Sequence, residues 1–142
     1  MTEQKIRFAE IERKVPAGRP GIYEIFMDGG IPLKVGIAAD IKKRLLQHRA
    51  SKDSGLKLKP GGSRGNPRDL ESKKSILAKH LFYDDSLTQE FDLKTETGRR
   101  AFLEARCYIV FRITDTRNDA LQIERTRERD GSYRYVGLVV KR

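Results

Sequence analysis

Gly21-Ile22-Tyr23-Glu24-Ile25-Phe26-Met27-Asp28-Gly29-Gly30-Ile31-Pro32-Leu33-Lys34-Val35-Gly36-Ile37 is the stretch that decides the fold. Its two halves alternate in character: Tyr23, Ile25 and Met27 share one face of an extended segment, and Leu33, Val35 and Ile37 share one face of the next. Between them, Asp28-Gly29-Gly30 supplies the residues of a tight turn, so the stretch predicts a β-hairpin. A two-residue Asp28-Gly29 turn sets Tyr23 opposite Lys34. A Gly29-Gly30 turn sets Tyr23 opposite Gly36, with Lys34 on the diagonal. In both registers the phenol and the ammonium lie on one surface.

A helix is predicted over Asp40-Ile41-Lys42-Lys43-Arg44-Leu45-Leu46-Gln47-His48, with Asp40 as its N-cap. At about 100° per residue, Arg44 and His48 fall beside Ile41 and Leu45, the stripe that packs on the sheet. Lys42, Lys43 and Gln47 point elsewhere. Arg44 and His48 are therefore expected to lean towards the hairpin.

Gly21-Ile22-Tyr23, the spaced Lys34-Val35-Gly36 and the helix with Arg44 resemble the GIY-YIG nuclease family. The first half-motif is intact; in the second, Lys34 stands where the family usually has tyrosine. Further on, Ala120-Leu121-Gln122-Ile123-Glu124 looks like the family's late helix, which carries a single metal-binding glutamate. The asparagine that many members carry beyond it is not evident in Tyr133-Arg134-Tyr135-Val136-Gly137. The resemblance implies an α/β (α+β) fold, a small antiparallel or mixed sheet flanked by helices. It also implies a divalent-metal-dependent endonuclease that hydrolyses phosphodiester bonds, of DNA rather than RNA, with one Mg²⁺ or Mn²⁺ as cofactor. Tyr23, Lys34, Arg44, His48 and Glu124 are its expected catalytic residues, Glu124 being the metal ligand.

Physical chemistry suits those roles. A guanidinium offers a fixed fork of donors to phosphoryl oxygens that gain charge. A free phenol, with a pKa of about 10, is a poor base at neutral pH. Lys34 is expected to favour the phenolate or to act as base itself, and His48 to relay a proton. The residues alone also allow Tyr23 as an ordinary core aromatic. They allow Glu124, on the one apolar side of a charged helix, as the partner of Arg125, Arg127 or Arg44. A scaffold that binds nucleic acid without turnover, or that meets an acidic protein, remains an alternative.

Length and composition bound the rest. The 142 residues predict a single domain, 1–142, large enough to bury a core. A formal net charge of +10 and a pI near 9.9 favour a polyanionic partner, nucleic acid first. Between Ile41 and His80 twelve lysines and arginines, Lys73 and Lys74 among them, stand against three acids. Of these, Lys42, Lys43, Arg49, Lys57, Lys59, Arg64 and Arg68 are the expected nucleic-acid contacts. The absence of a long apolar span predicts a soluble protein with no membrane partner. Cys107 is the lone cysteine, which suits a reducing cytoplasm.

Residues 1–20 are expected to form an arm or short helix, and the Gly/Pro-rich basic passage 51–68 a long mobile loop. A helix is predicted over 70–82, with His80 on its apolar stripe as a packed core residue, and a solvated acidic turn at 83–86. A short helix over 97–104 leads into Cys107–Ile113, the strongest strand signal and the expected central strand. A last helix over 119–129 is stopped by Gly131.

Overall fold

A computed structural model of the chain describes residues 3–72, 75–130 and 133–136. Lys73 and Lys74 of the basic stretch, the helix stop Gly131, and Gly137 lie outside them. The sheet is built from β1 (Gln4–Arg7), β2 (Gly21–Met27), β3 (Ile31–Ala38) and β6 (Cys107–Ile113), all antiparallel, in the order β1-β6-β2-β3. Helices α1 (Ile11–Lys14), α2 (Ile41–Ala50), α3 (Ile76–Tyr83), α4 (Glu96–Arg106) and α5 (Arg117–Asp130) complete this α+β fold. The expected arm thus contributes a strand and a short helix. Its strand finds backbone partners on β6, which makes β6 an interior strand as predicted.

The hairpin adopts the register that places Tyr23 opposite Gly36 and Lys34 opposite Ile25. The register shifts between Ile25 and Phe26, because Phe26 pairs with Pro32 and leaves Leu33 as an extra residue on β3. Asp28, Gly29 and Gly30 then close the loop, both glycines at positive φ (+90° and +79°). The bulge changes the packing. Leu33 joins Tyr23, Ile25, Ile41 and Leu45 in the main core, whereas Val35 packs on the other face with Ile22 and Ala120.

α2 is capped as the sequence implies, Asp40 Oδ1 accepting from the Lys43 amide at 3.2 Å. It ends at Ser51, whose left-handed φ of 46° is held by a fully buried arginine: Arg99 donates to Ser51 Oγ (2.9 Å) and to its carbonyl (2.8 Å). Asp53 and the Leu93 carbonyl take further Arg99 protons. The charge is buried with its hydrogen bonds satisfied, as burial demands.

The passage expected to be a mobile loop carries structure. β4 (Leu56–Leu58) pairs with β5 (Leu70–Ser72) in a two-stranded ribbon. Leu56 and Leu70 bury against Ala78 and Tyr83 of α3, and the Tyr83 hydroxyl donates to the Arg64 carbonyl at 2.7 Å. The helix expected from residue 70 begins at Ile76, since Leu70 is spent on the ribbon and Ser75 caps α3 by accepting from the Ala78 amide at 3.2 Å. His80 is buried as expected, stacked on Tyr135.

The turn after α3 is no solvated turn. Asp84 is largely buried, takes two bonds from Arg134 (2.5 and 3.0 Å) and one from the Tyr135 hydroxyl (2.7 Å), and so clips residues 133–136 to α3. That segment also donates its Arg134 and Tyr135 amides to the Pro32 and Leu33 carbonyls on β3. Among the described residues no helix is long and apolar enough to cross a membrane.

Burial works to raise the Asp84 carboxyl, and the bonds from Arg134 and Tyr135 overcome it, leaving its pKa below the ordinary value of about 3.9. A depressed carboxyl stabilises the fold above the unfolded pKa and loses that contribution as pH falls through the folded one. Asp84→Asn is therefore expected to cost about 2 kcal/mol of unfolding free energy at neutral pH, with the deficit shrinking on acidification. Urea unfolding of both proteins across the acid range checks this; a deficit independent of pH would show that the charge contributes nothing.

Candidate functional site

Tyr23 is the centre of the site. It stands on β2 with its ring over Gly36, where a Cβ would collide with the Tyr23 hydroxyl, so only glycine leaves room for the phenol. The Tyr23 hydroxyl lies 2.6 Å from His48 Nε2, and His48 Nδ1 lies 2.7 Å from Ser75 Oγ. All three residues are buried. Sheet, α2 and the start of α3 are thus joined by one chain of side-chain hydrogen bonds, with Tyr23 at the end nearest the sheet.

The helical periodicity of α2 is what turns His48 inward. It sits with Ile41 and Leu45 on the buried face, as the sequence implies, while Arg44, at the edge of that face, is half-buried. Lys34 is buried to about nine-tenths on the β3 position beside Gly36, and among the described residues no hydrogen bond or ion pair holds its ammonium. Glu124 comes from the other side. α5 packs Ala120 and Ile123 against Ile22, Val35 and Ile37, on the face opposite Tyr23.

The rotation of α5 is fixed by Glu24, which accepts from Arg127 at 2.5 Å and from the Tyr133 hydroxyl; Arg127 also meets Glu3. Arg127 is therefore not the partner of Glu124, and among the described residues no ion pair closes on Glu124. Lys34 is where the two faces meet electrostatically, since it feels Glu124 and Glu128 from α5 and Arg44 from α2.

These fields set the protonation states. Burial pushes the Tyr23 phenol well up, Arg44 opposing and Glu124 reinforcing. Burial outweighs the Arg44 charge, so the resting phenol is neutral, whereas a phenolate favoured by Lys34 was expected. Burial, then Lys34 and Arg44, push the His48 imidazole well below its usual value, so it too is neutral. Burial pulls the Lys34 amine down, partly offset by Glu124 and Glu128. Burial, together with Glu128, pushes the Glu124 carboxyl up, against Lys34, Arg117 and Arg125.

The site is thus a set of buried and half-buried polar groups, with Glu124 and Glu128 one turn apart on α5. Among the described residues no group of three or more histidines, cysteines or carboxylates converges as a metal cage. Glu124 with its neighbour Glu128 offers one or two carboxylates, which is the protein share that Mg²⁺ typically takes, water and substrate oxygens completing the shell.

The expected nucleic-acid contacts divide. Arg49 is committed to the protein, donating to the Phe8 carbonyl (3.1 Å) and in a fork to Glu12. Lys42 donates to the Glu12 carbonyl at 2.9 Å. Lys43, Lys57, Lys59, Arg64 and Arg68 are exposed, the last four on the β4–β5 ribbon and its loop. At its base, burial and the Lys59 charge both lower the Lys79 amine, with Glu71 opposing. Cys107 is packed in the core with its thiol pushed up by burial, a structural residue. Ser75 is the site residue that sequence reasoning missed; the signal was its place at the N-cap of α3, hidden by a helix drawn from residue 70.

No protein-family model, no curated protein and no solved structure matches the chain.

A histidine that stays neutral in the fold and charges in the unfolded chain loses stability as pH drops below its unfolded pKa of about 6.5. The His48 ring is accordingly expected to keep constant carbon-bound proton shifts from about pH 8 to about pH 5.5, while the fold weakens over the lower part of that range. A His48 midpoint near the ordinary value, read by NMR, would contradict the burial account.

Proposed function

We propose that the chain is a divalent-metal-dependent endonuclease that hydrolyses nucleic-acid phosphodiester bonds, DNA in preference to RNA, in a cytoplasmic setting. The observation that carries this reading is the buried Tyr23–His48–Ser75 chain, which ends where the charges of Lys34, Arg44 and Glu124 act together. The resemblance of the same residues to the GIY-YIG nucleases supports it, and so does the exposed basic ribbon, which suits a phosphate backbone.

Glu124, assisted by Glu128, would hold Mg²⁺ or Mn²⁺. Burial, with Glu128 beside it, raises its carboxyl pKa, and a divalent ion there would favour the charged form. Bound there, the ion supplies positive charge for the phosphate and for the leaving oxygen. Arg44 grips equatorial phosphoryl oxygens with its fork and favours the transition state, in which they carry more charge.

Lys34 binds its proton less tightly than a surface lysine, so it suits taking a proton from the attacking water. Tyr23, fixed over Gly36 and bonded to His48, positions the site's polar groups rather than supplying a ready phenolate. Whether Tyr23 gives or accepts in that contact is set by the tautomer of His48. The exposed cations Lys43, Lys57, Lys59, Arg64 and Arg68 hold the strand on either side.

Purified protein incubated with supercoiled plasmid, single-stranded and branched DNA and RNA, with Mg²⁺, Mn²⁺ or chelator, tests the reading. Cutting that needs the ion and disappears in Glu124→Ala is the expected result. Arg44→Ala is expected to lower kcat by about 10²-fold with a much smaller change in affinity. Salt-sensitive binding without cutting on every substrate would replace the nuclease by a binding module, and a loss in Arg44→Ala confined to affinity would make that residue an anchor.

A further inference from the structure

From Leu56 to Arg68 the chain carries Lys57, Lys59, Arg64 and Arg68 and no acid. All four are exposed, and among the described residues no hydrogen bond or ion pair holds their side-chain nitrogens. The backbone beneath them is held throughout. The Lys59 amide donates to the Asp69 carbonyl (2.8 Å), Gly62 to Lys59 (2.9 Å), Asn66 to Ser63 (3.0 Å) and Asp69 to Asn66 (3.0 Å). Asp69 Oδ2 turns inward to take the Ser63 amide at 3.0 Å, and Asn66 Oδ1 takes that of Arg68 at 3.1 Å. Pro67 is buried, and the Tyr83 hydroxyl ties the Arg64 carbonyl to α3 at 2.7 Å. A loop built only to be solvated gains nothing from such fixing. A loop that presents two guanidinium forks at set positions gains by having its ordering cost met before it binds.

The cations are sorted by place. Lys57 is on β4, pointing away from the face that Leu56 and Leu70 bury, and Lys59 is just beyond it. Arg64 and Arg68 stand on the loop that closes the ribbon. The acids that follow lie clear of that tip: Asp69 is turned inward, and Glu71 is at the base, across from Lys57. Lysine ammoniums suit phosphates, whereas the planar fork of arginine takes both acceptors of a guanine edge. A two-stranded ribbon fits the major groove of B-form DNA, about 12 Å wide, and the deep narrow groove of duplex RNA excludes it. Leu58, at the root of the loop, is 42 % exposed although Leu70 opposite it is fully buried, and a groove wall would give it apolar cover.

We infer that the β4–β5 ribbon enters the major groove of duplex DNA, with Lys57 and Lys59 on phosphates and Arg64 and Arg68 on base edges, so that the two arginines set a sequence preference. The inference rests on the nucleic-acid reading above and deepens it. Phosphate contacts fix register and carry no sequence information, so the preference lies with the two forks.

The test is selection from a pool of random DNA duplexes by the full chain in chelator, so that nothing is cut, with affinities then measured against salt. Wild type is expected to enrich a short motif that includes guanine. Arg64→Lys and Arg68→Lys keep the charge. Each should bind random duplex within about twofold of wild type while losing at least about tenfold of the preference at one guanine. Lys57→Gln and Lys59→Gln should weaken binding to every duplex alike, each lowering the slope of log affinity against log salt by about one. A wild type that enriches no motif, or a motif kept in both arginine variants, overturns the inference. Equal enrichment from a duplex RNA pool overturns it too.

Plasmid cleavage in Mg²⁺, read on the same proteins, separates this inference from the nuclease reading. Cutting without a preferred sequence keeps the nuclease and overturns the role of the two arginines. A motif selected in chelator by a chain that never cuts keeps that role and overturns the nuclease.

Discussion

The 2.6 Å contact between the Tyr23 hydroxyl and His48 Nε2 is the interaction on which the arrangement depends. It joins β2 to α2 inside the core, where an unpaired phenol or imidazole would cost several kcal/mol. Each group is therefore admissible only in the presence of the other, and both require Ser75 on a third element. Gly36 adds a steric condition, since any side chain there would occupy the space of the phenol. The relative placement of sheet, α2 and α3 is held by polar complementarity at one point, with the surrounding Ile25, Ile41 and Leu45 supplying the non-directional part.

That dependence explains why the titratable groups are displaced in the directions they are. Burial is the first cause for Tyr23, Lys34, His48 and Glu124 alike, and the charges between them act second. The protein makes neutral phenol and neutral imidazole the resting states and raises a carboxyl on α5 through burial.

Much of the fold was legible because its signals were periodic. Alternation gave the hairpin and the strand Cys107–Ile113, and the 3.6-residue repeat turned His48 inward on α2 beside Ile41 and Leu45. What stayed hidden was aperiodic or long-range. The bulge at Leu33 moves one leucine to the main core, a shift that alternation cannot express. Strands as short as Leu56–Leu58 and Leu70–Ser72 carry no period, so the ribbon looked like a loop and the helix start was drawn too early, concealing Ser75. Asp84 meets its partners about fifty residues away, beyond any local pattern. The juxtaposition of Tyr23 and Lys34 on one face was legible; that the phenol stays neutral depends on its burial, which residue types alone do not state.

The clip at Asp84 has a consequence for the molecule among its own copies. β3 ends the sheet, and an uncovered terminal strand is a template for pairing with another chain. Arg134 and Tyr135 lay their amides on the Pro32 and Leu33 carbonyls and so occupy part of that template from within. The same carboxylate that anchors the segment thus acts as a guard against strand-to-strand association, and the bulge beneath it further spoils the flat edge that an intruding chain would need. The covering of that edge by residues 134 and 135 thus hangs on one largely buried aspartate.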